Sequence, residues 1–210
     1  MTGGGWWKYL HNMPSRRTAL GLRIKSGWAM AVLVAGPARS PTVLDRRRVE
    51  LSDPARPRTR QPYHAGFGTA QTSQAVIARL ARVIERCAAR SLAVLVREYG
   101  RRGVRPRAAG LVVGSLIDPN RIANPHIRAH ALEGALFRRV AVEGLAGLRI
   151  GSTVVVEREV YGAAARASRI TERQLKGRVA ELVGQVSGRW RSEEKTAAAV
   201  ACLALASRRR

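Results

Sequence analysis

The chain opens its patterned region with three β-prone stretches, at residues 19–25, 28–35 and 42–51, separated by Ser26-Gly27 and by Gly36-Pro37 through Pro41. Turn-forming residues at both breaks predict a three-stranded antiparallel meander. The third stretch carries Asp45, Arg46, Arg47, Arg48 and Glu50, so one of its faces must meet water or a partner. Apolar residues then recur at helical spacing through Val76, Ile77, Leu80, Val83, Ile84 and Cys87, continuing to Val94 and Leu95. This predicts a long helix capped by Thr72 or Ser73 and ended by Gly100-Arg101-Arg102-Gly103. Residues 109–114 and 151–157 are short apolar runs of the kind found in buried parallel strands. Helices are predicted at about 126–145, between those runs, and at about 171–185 and 192–207 beyond them. The order βββ-α-β-α-β-α(α) predicts an α/β domain: a mixed five-stranded sheet, three antiparallel strands then two parallel, flanked by helices.

That domain spans residues 18–207. Residues 1–17 read as a flexible arm, with Trp6, Trp7 and Tyr9 among basic residues, suited either to stacking on bases or to packing on the domain. Residues 208–210 form a basic tail. Composition changes the picture mainly through charge. Thirty-eight basic residues oppose 14 acidic ones, a formal net charge of +24. A surface that positive repels itself unless a polyanion neutralises it, and nucleic acid does so with release of condensed counterions. The isolated Cys87 and Cys202 read as buried thiols of a reducing cytosol, so a cytoplasmic location is expected. The apolar runs are too short to span a bilayer, so no membrane partner is expected. No Walker loop, dinucleotide glycine fingerprint, nucleophile elbow or CxxC pair occurs, which counts against nucleotide-driven, hydride-transfer and zinc-ribbon chemistry.

Several short segments carry a resemblance. Leu20-Gly21-Leu22 followed by Ser26-Gly27-Trp28-Ala29, Asn124-Pro125 before a helix with an Ala-Leu-Glu-Gly centre, Glu157-Arg158-Glu159-Val160, and Glu193-Glu194-Lys195-Thr196 before an alanine-rich run are similar to segments of the RuvC-type Holliday junction resolvases. These belong to the ribonuclease H-like superfold. The resemblance covers roughly residues 18–207. It implies four carboxylates around two Mg²⁺ or Mn²⁺ ions, which activate water against a phosphodiester, and it implies dimers acting on symmetric junctions. Carried over position by position, the first acid falls on Arg23 and the second near Val113 or Gly114. The last pair falls within residues 192–196, where Glu193 or Glu194 could supply one oxygen ligand. A guanidinium ligates no cation and repels one, so a degenerate metal site is expected.

A different constellation lies on the second long helix. His126, His130 and Glu133 share a face at i, i+4 and i+7, with Phe137 next along it. Two histidines four apart can hold a metal, and a Glu one turn on can ligate or act as a base. The plainer alternatives are that His126 caps the helix and Glu133 pairs with an arginine, and that His64 is a solvated loop residue. If this helix packs near the last one, Glu193, Glu194 and Lys195 come within reach.

Three function classes follow. The first expectation is a protein binding structured or branched nucleic acid, DNA favoured over RNA, through Arg23, Lys25, Arg46, Arg47, Arg48 and Lys195. The second is a metal-dependent endonuclease with His130, Glu133, Glu193 and Glu194 as catalytic residues, His126, His130 and Glu133 as candidate ligands, and Mg²⁺ or Mn²⁺ as cofactor. The third is a non-catalytic adaptor for an acidic protein. A homodimer is compatible with each.

Overall fold

The computed structural model describes residues 17–207; the arm, apart from Arg17, and the basic tail lie outside the described residues. The predicted meander forms as β1 (Thr18–Lys25), β2 (Trp28–Ala35) and β3 (Thr42–Glu50). Gly27 and Gly36 take the positive φ that the two turns require. A 3₁₀ turn (Pro57–Arg60) leads into a small hairpin, β4 (His64–Gly66) and β5 (Thr69–Ala70), whose strands are too short to show a period in sequence. Then come α1 (Gln74–Arg101), β6 (Ala108–Val113), α2 (Pro125–Gly147) and β7 (Gly151–Val156). Ser73 caps α1 by accepting a bond from Val76 N–H. Three helices close the chain: α3 (Val160–Ser168), α4 (Glu172–Glu181) and α5 (Ser192–Ala206). The expected helix at 171–185 is therefore α4 followed by a 3₁₀ turn, and α3 was not foreseen.

The sheet runs in the order β3-β2-β1-β6-β7. β1–β2 and β2–β3 are antiparallel, whereas β1–β6 and β6–β7 are parallel. This is the expected mixed sheet. Its central strand β1 is covered on both faces, which is why residues 19–22 carry no polar side chain. Leu20, Leu22 and Ile24 pack with α1 and α2, through residues such as Ile84, Leu92, Phe137 and Val140. Ala19, Val32, Val34 and Val112 pack on the other side with α3, α4 and α5. α2 and α5 thus lie on opposite faces of the sheet, which corrects the expectation that they pack together. α5 seats its backbone directly on the sheet: a Cβ on Gly21 would fall 1.9 Å from the Ala197 carbonyl oxygen, and one on Gly110 2.5 Å from Val200. The alanines of α5 and these two glycines are one device for close approach. Cys202 is buried there, and burial pushes its thiol up to about 12; Cys87 is only half-buried.

Candidate functional site

Arg23 lies on the central strand, paired in register with Met30 on β2 and Val112 on β6. Its side chain is buried, and its guanidinium donates to the carboxylate of Glu157, the residue that follows β7. A second nitrogen donates to the Ile24 carbonyl at 3.0 Å. The neighbouring charges are matched in the same way. Lys25 lies 3.6 Å from Glu193, and Arg46 lies 3.0 Å from Glu194, both acids standing in the first turn of α5. Glu194 also accepts from the Arg191 main-chain N–H at 3.0 Å, capping α5. The main-chain N–H of Glu193, the Ser192 hydroxyl and Lys25 hold the Glu193 carboxyl below its usual range.

Three carboxylates here face three cations one to one, and the end of β6 supplies only Val113 and Gly114. A pair of Mg²⁺ or Mn²⁺ ions at this place would have to displace all three cations. The residues present do not fit the two-ion site that the resemblance implies.

Two more of the predicted cations are committed elsewhere. Arg47 pairs with Asp45 at 2.6 Å and Glu98 at 2.5 Å, and the buried Tyr99 hydroxyl donates to the same Asp45 at 2.8 Å. Burial, then the Asp45 charge, hold the proton on Tyr99. Arg48 pairs with Glu50 and lies over the Trp28 ring, 4.4 Å from its centre. Asp53 pairs with Arg56 at 3.5 Å. Lys195 is half-buried and has no ion pair among the described residues.

The second constellation is assembled from two segments. Asn124 caps α2, accepting bonds from His126 N–H at 3.0 Å and Ile127 N–H at 3.1 Å. The His126 ring is therefore free of capping work and projects beside His130, one turn on, at 4.6 Å between ring centres. The β4–β5 hairpin lays His64 against both, at 5.1 Å from His126 and 4.5 Å from His130. His64 is buried rather than solvated, a correction. Its Nδ1 lies 2.8 Å from Glu133 Oε1, and its Nε2 lies 3.3 Å from His126 Nδ1. Glu133 is fully buried and pairs with His64, not with an arginine. Burial pushes its carboxyl up, while bonds from His64 and the Tyr63 main chain oppose this. Burial and the adjacent His64 and His126 lower the pKa of His130, favouring its neutral ring.

His130 and Glu133 therefore stand together, whereas Glu193 and Glu194 belong to the ion pairs on the α5 side of the sheet. A cleft of about 400 Å³ at the carboxyl ends of β1 and β6 borders both regions, lined by Arg23, Lys25, Gly114, His130, Phe137 and Arg138 among others. Crevices at strand carboxyl ends are where α/β sheets bind ligands.

His64 was not singled out as a site residue by its sequence, and neither was a feature of α1. At 100° per residue, Arg79, Arg82, Arg86, Arg90, Arg97 and Arg101 fall within about 100° of one another, opposite the buried face that includes Leu80, Leu92 and Tyr99. All six are exposed, and none has an ion pair among the described residues. The stripe is about 33 Å long at 1.5 Å per residue. Its signal was legible as arginines spaced by three, four and seven.

No protein-family model matches the chain, and no curated protein matches it. Solved structures do. The chain is similar to Thermus thermophilus RuvC, at 14% identity and a TM-score of 0.50, over 89% of this chain and 92% of that one. It is also similar to T. thermophilus RuvC in complex with a Holliday junction substrate, at 11% identity and a TM-score of 0.54, over 89% and 91%. The fold is ribonuclease H-like, of the RuvC type. No helix among the described residues is long and apolar enough to cross a membrane.

Proposed function

We propose that this chain binds structured or branched nucleic acid, DNA before RNA, on a RuvC-type scaffold whose usual two-ion centre has become a network of ion pairs. The observation that carries this reading is the outer face of α1: six exposed arginines with no ion pair among the described residues, over a length close to one turn of duplex. In this reading Arg23, Arg46, Arg47 and Arg48 hold the scaffold, because their guanidiniums already serve internal acceptors. Unpaired cations do the gripping, with Lys195 and the cleft residue Arg138 extending the surface.

A second feature suits a nucleic-acid partner. Phe67 is fully exposed between Gly66 and Gly68 at the tip of the hairpin, where an aromatic ring can stack on an unpaired base. Its substitution by alanine is expected to weaken binding to a four-way junction by about 1–3 kcal/mol while leaving the melting temperature unchanged. Fluorescence anisotropy of labelled junction, duplex and RNA–DNA hybrid, in EDTA at low salt, measures the binding, and a thermal melt of the two proteins measures the stability. Absence of binding to every one of these probes would contradict the reading and favour an acidic protein partner.

The alternative, a metal-dependent endonuclease using His130 and Glu133, is favoured by one observation: His130 lines the same cleft as Arg23 and Lys25. Cleavage that requires His130 and Glu133 would support it.

A further inference from the structure

Three of the chain's four histidines converge on one point, although His64 and His126 lie 62 residues apart. They gather beside a buried carboxylate, Glu133, that is held from a different segment of the chain by His64. We propose that His64, His126 and His130 form a mononuclear site for a zinc-class divalent transition metal, with Glu133 orienting His64 and a fourth coordination position open to solvent.

The distances suit this assignment. Two imidazole nitrogens on one tetrahedral zinc, each about 2.0–2.1 Å from it, stand about 3.3–3.4 Å apart. His64 Nε2 and His126 Nδ1 are separated by 3.3 Å. One donor nitrogen from each of the three rings falls within 4.8 Å of the other two. His130 is the ring with room to move, its side chain 48% exposed, so rotation can bring its nitrogen onto the ion.

The carboxylate behind the cluster supports the same conclusion. Glu133 Oε1 accepts from His64 Nδ1 at 2.8 Å, which leaves the Nε2 lone pair aimed at the other two rings. This carboxylate–histidine arrangement is the usual outer support of a metal-bound imidazole, fixing tautomer and ring plane. Glu133 Oε2 is buried without a hydrogen-bond partner, with His130 Nδ1 3.7 Å away, and a carboxylate buried there is costly unless positive charge stands close by. A divalent ion one imidazole away supplies the missing positive charge.

The donor set selects the class of metal. Three neutral imidazoles with no carboxylate or thiolate among them suit zinc, copper or nickel, not magnesium or calcium. Three protein ligands with an open fourth position are the pattern of zinc sites that hold a water or an anionic oxygen. The open side faces outward past His130, which also borders the cleft. The ion would in addition pin the β4–β5 hairpin to the start of α2.

The test uses the full chain without an affinity tag, stripped with chelator and titrated with Zn²⁺ against a chromophoric competitor, with no nucleic acid present. One Zn²⁺ per chain is expected, together with a tetrahedral visible spectrum when Co²⁺ replaces it. His64→Ala and His126→Ala should each weaken zinc binding by more than the roughly 10–100-fold expected for Glu133→Gln. His130→Ala is the control for folding: as an exposed residue its loss should leave the metal-free melting temperature unchanged while zinc binding falls. His11→Ala should change nothing. A wild-type chain that takes up no stoichiometric zinc would overturn the proposal and leave a hydrogen-bonded histidine cluster. A folded His130→Ala chain that binds zinc as tightly as wild type would do the same.

Discussion

Reversing three charges on the outer face of α1, Arg82→Glu with Arg86→Glu and Arg90→Glu, is expected to reduce affinity for a four-way DNA junction at least a hundredfold at low salt. The three arginines sit at i, i+4 and i+8, are exposed, and have no ion pair among the described residues. Their substitution therefore disturbs no internal ion pair of the described fold. Every phosphate that no longer meets an arginine should flatten the dependence of log K on log salt by about 0.9, so three such phosphates flatten it by about 2.7. The wild-type chain, if it neutralises 6–10 phosphates, should lose roughly 10³–10⁵ in affinity between 50 and 200 mM salt. A salt titration of anisotropy for both proteins checks the two numbers together. An unchanged slope in the triple variant would move the binding surface off α1.

Glu157→Ala should destabilise the fold by about 2–3 kcal/mol, at or just below the lower edge of what breaking a buried ion pair costs. The lower edge applies because the Glu157 side chain is 46% exposed, and water screens its half of the interaction. The larger part of the loss is Arg23, whose buried guanidinium would be left with only main-chain carbonyls as acceptors. For a chain of this length the melting temperature should drop by roughly 4–12 °C. The pair Arg23→Met with Glu157→Leu should recover most of that loss, since a well-packed apolar replacement avoids the desolvation cost. A Glu157→Ala chain as stable as wild type would mean that Arg23 does not depend on this partner.

The sheet was readable from the chain because each of its five strands is a distinct apolar or alternating run bounded by Gly, Pro or charged turns. The long helix α1 was readable because its eight buried positions keep a strict helical period. α3 was not: nine residues with Gly162 inside and no side-chain cap give neither a period nor a start signal. The boundary of α4 blurred because Leu182 through Gln185 continue as a 3₁₀ turn, keeping the helical look past the last α-helical residue. Arg23 could be placed at the sheet centre, but its pairing with Glu157 could not, since 134 residues separate them. The same holds for the histidines. His126 and His130 declare themselves by spacing on one helix, whereas His64 joins them only through a hairpin of two- and three-residue strands that leaves no pattern. Local spacing carries local geometry; pairings across the sheet need the fold.

The most direct test of the central claim is to incubate the purified chain with end-labelled four-way junction in Mg²⁺, in Mn²⁺ and in EDTA, and to resolve bound complex and cut strands separately. The ion-paired centre formed by Arg23, Glu157, Lys25 and Glu193 predicts binding that needs no divalent ion, weakened by Mg²⁺ or Mn²⁺ only as far as they compete for phosphates, and intact DNA strands in all three buffers. Strand cutting that depends on Mg²⁺ and disappears in Glu157→Gln would contradict it.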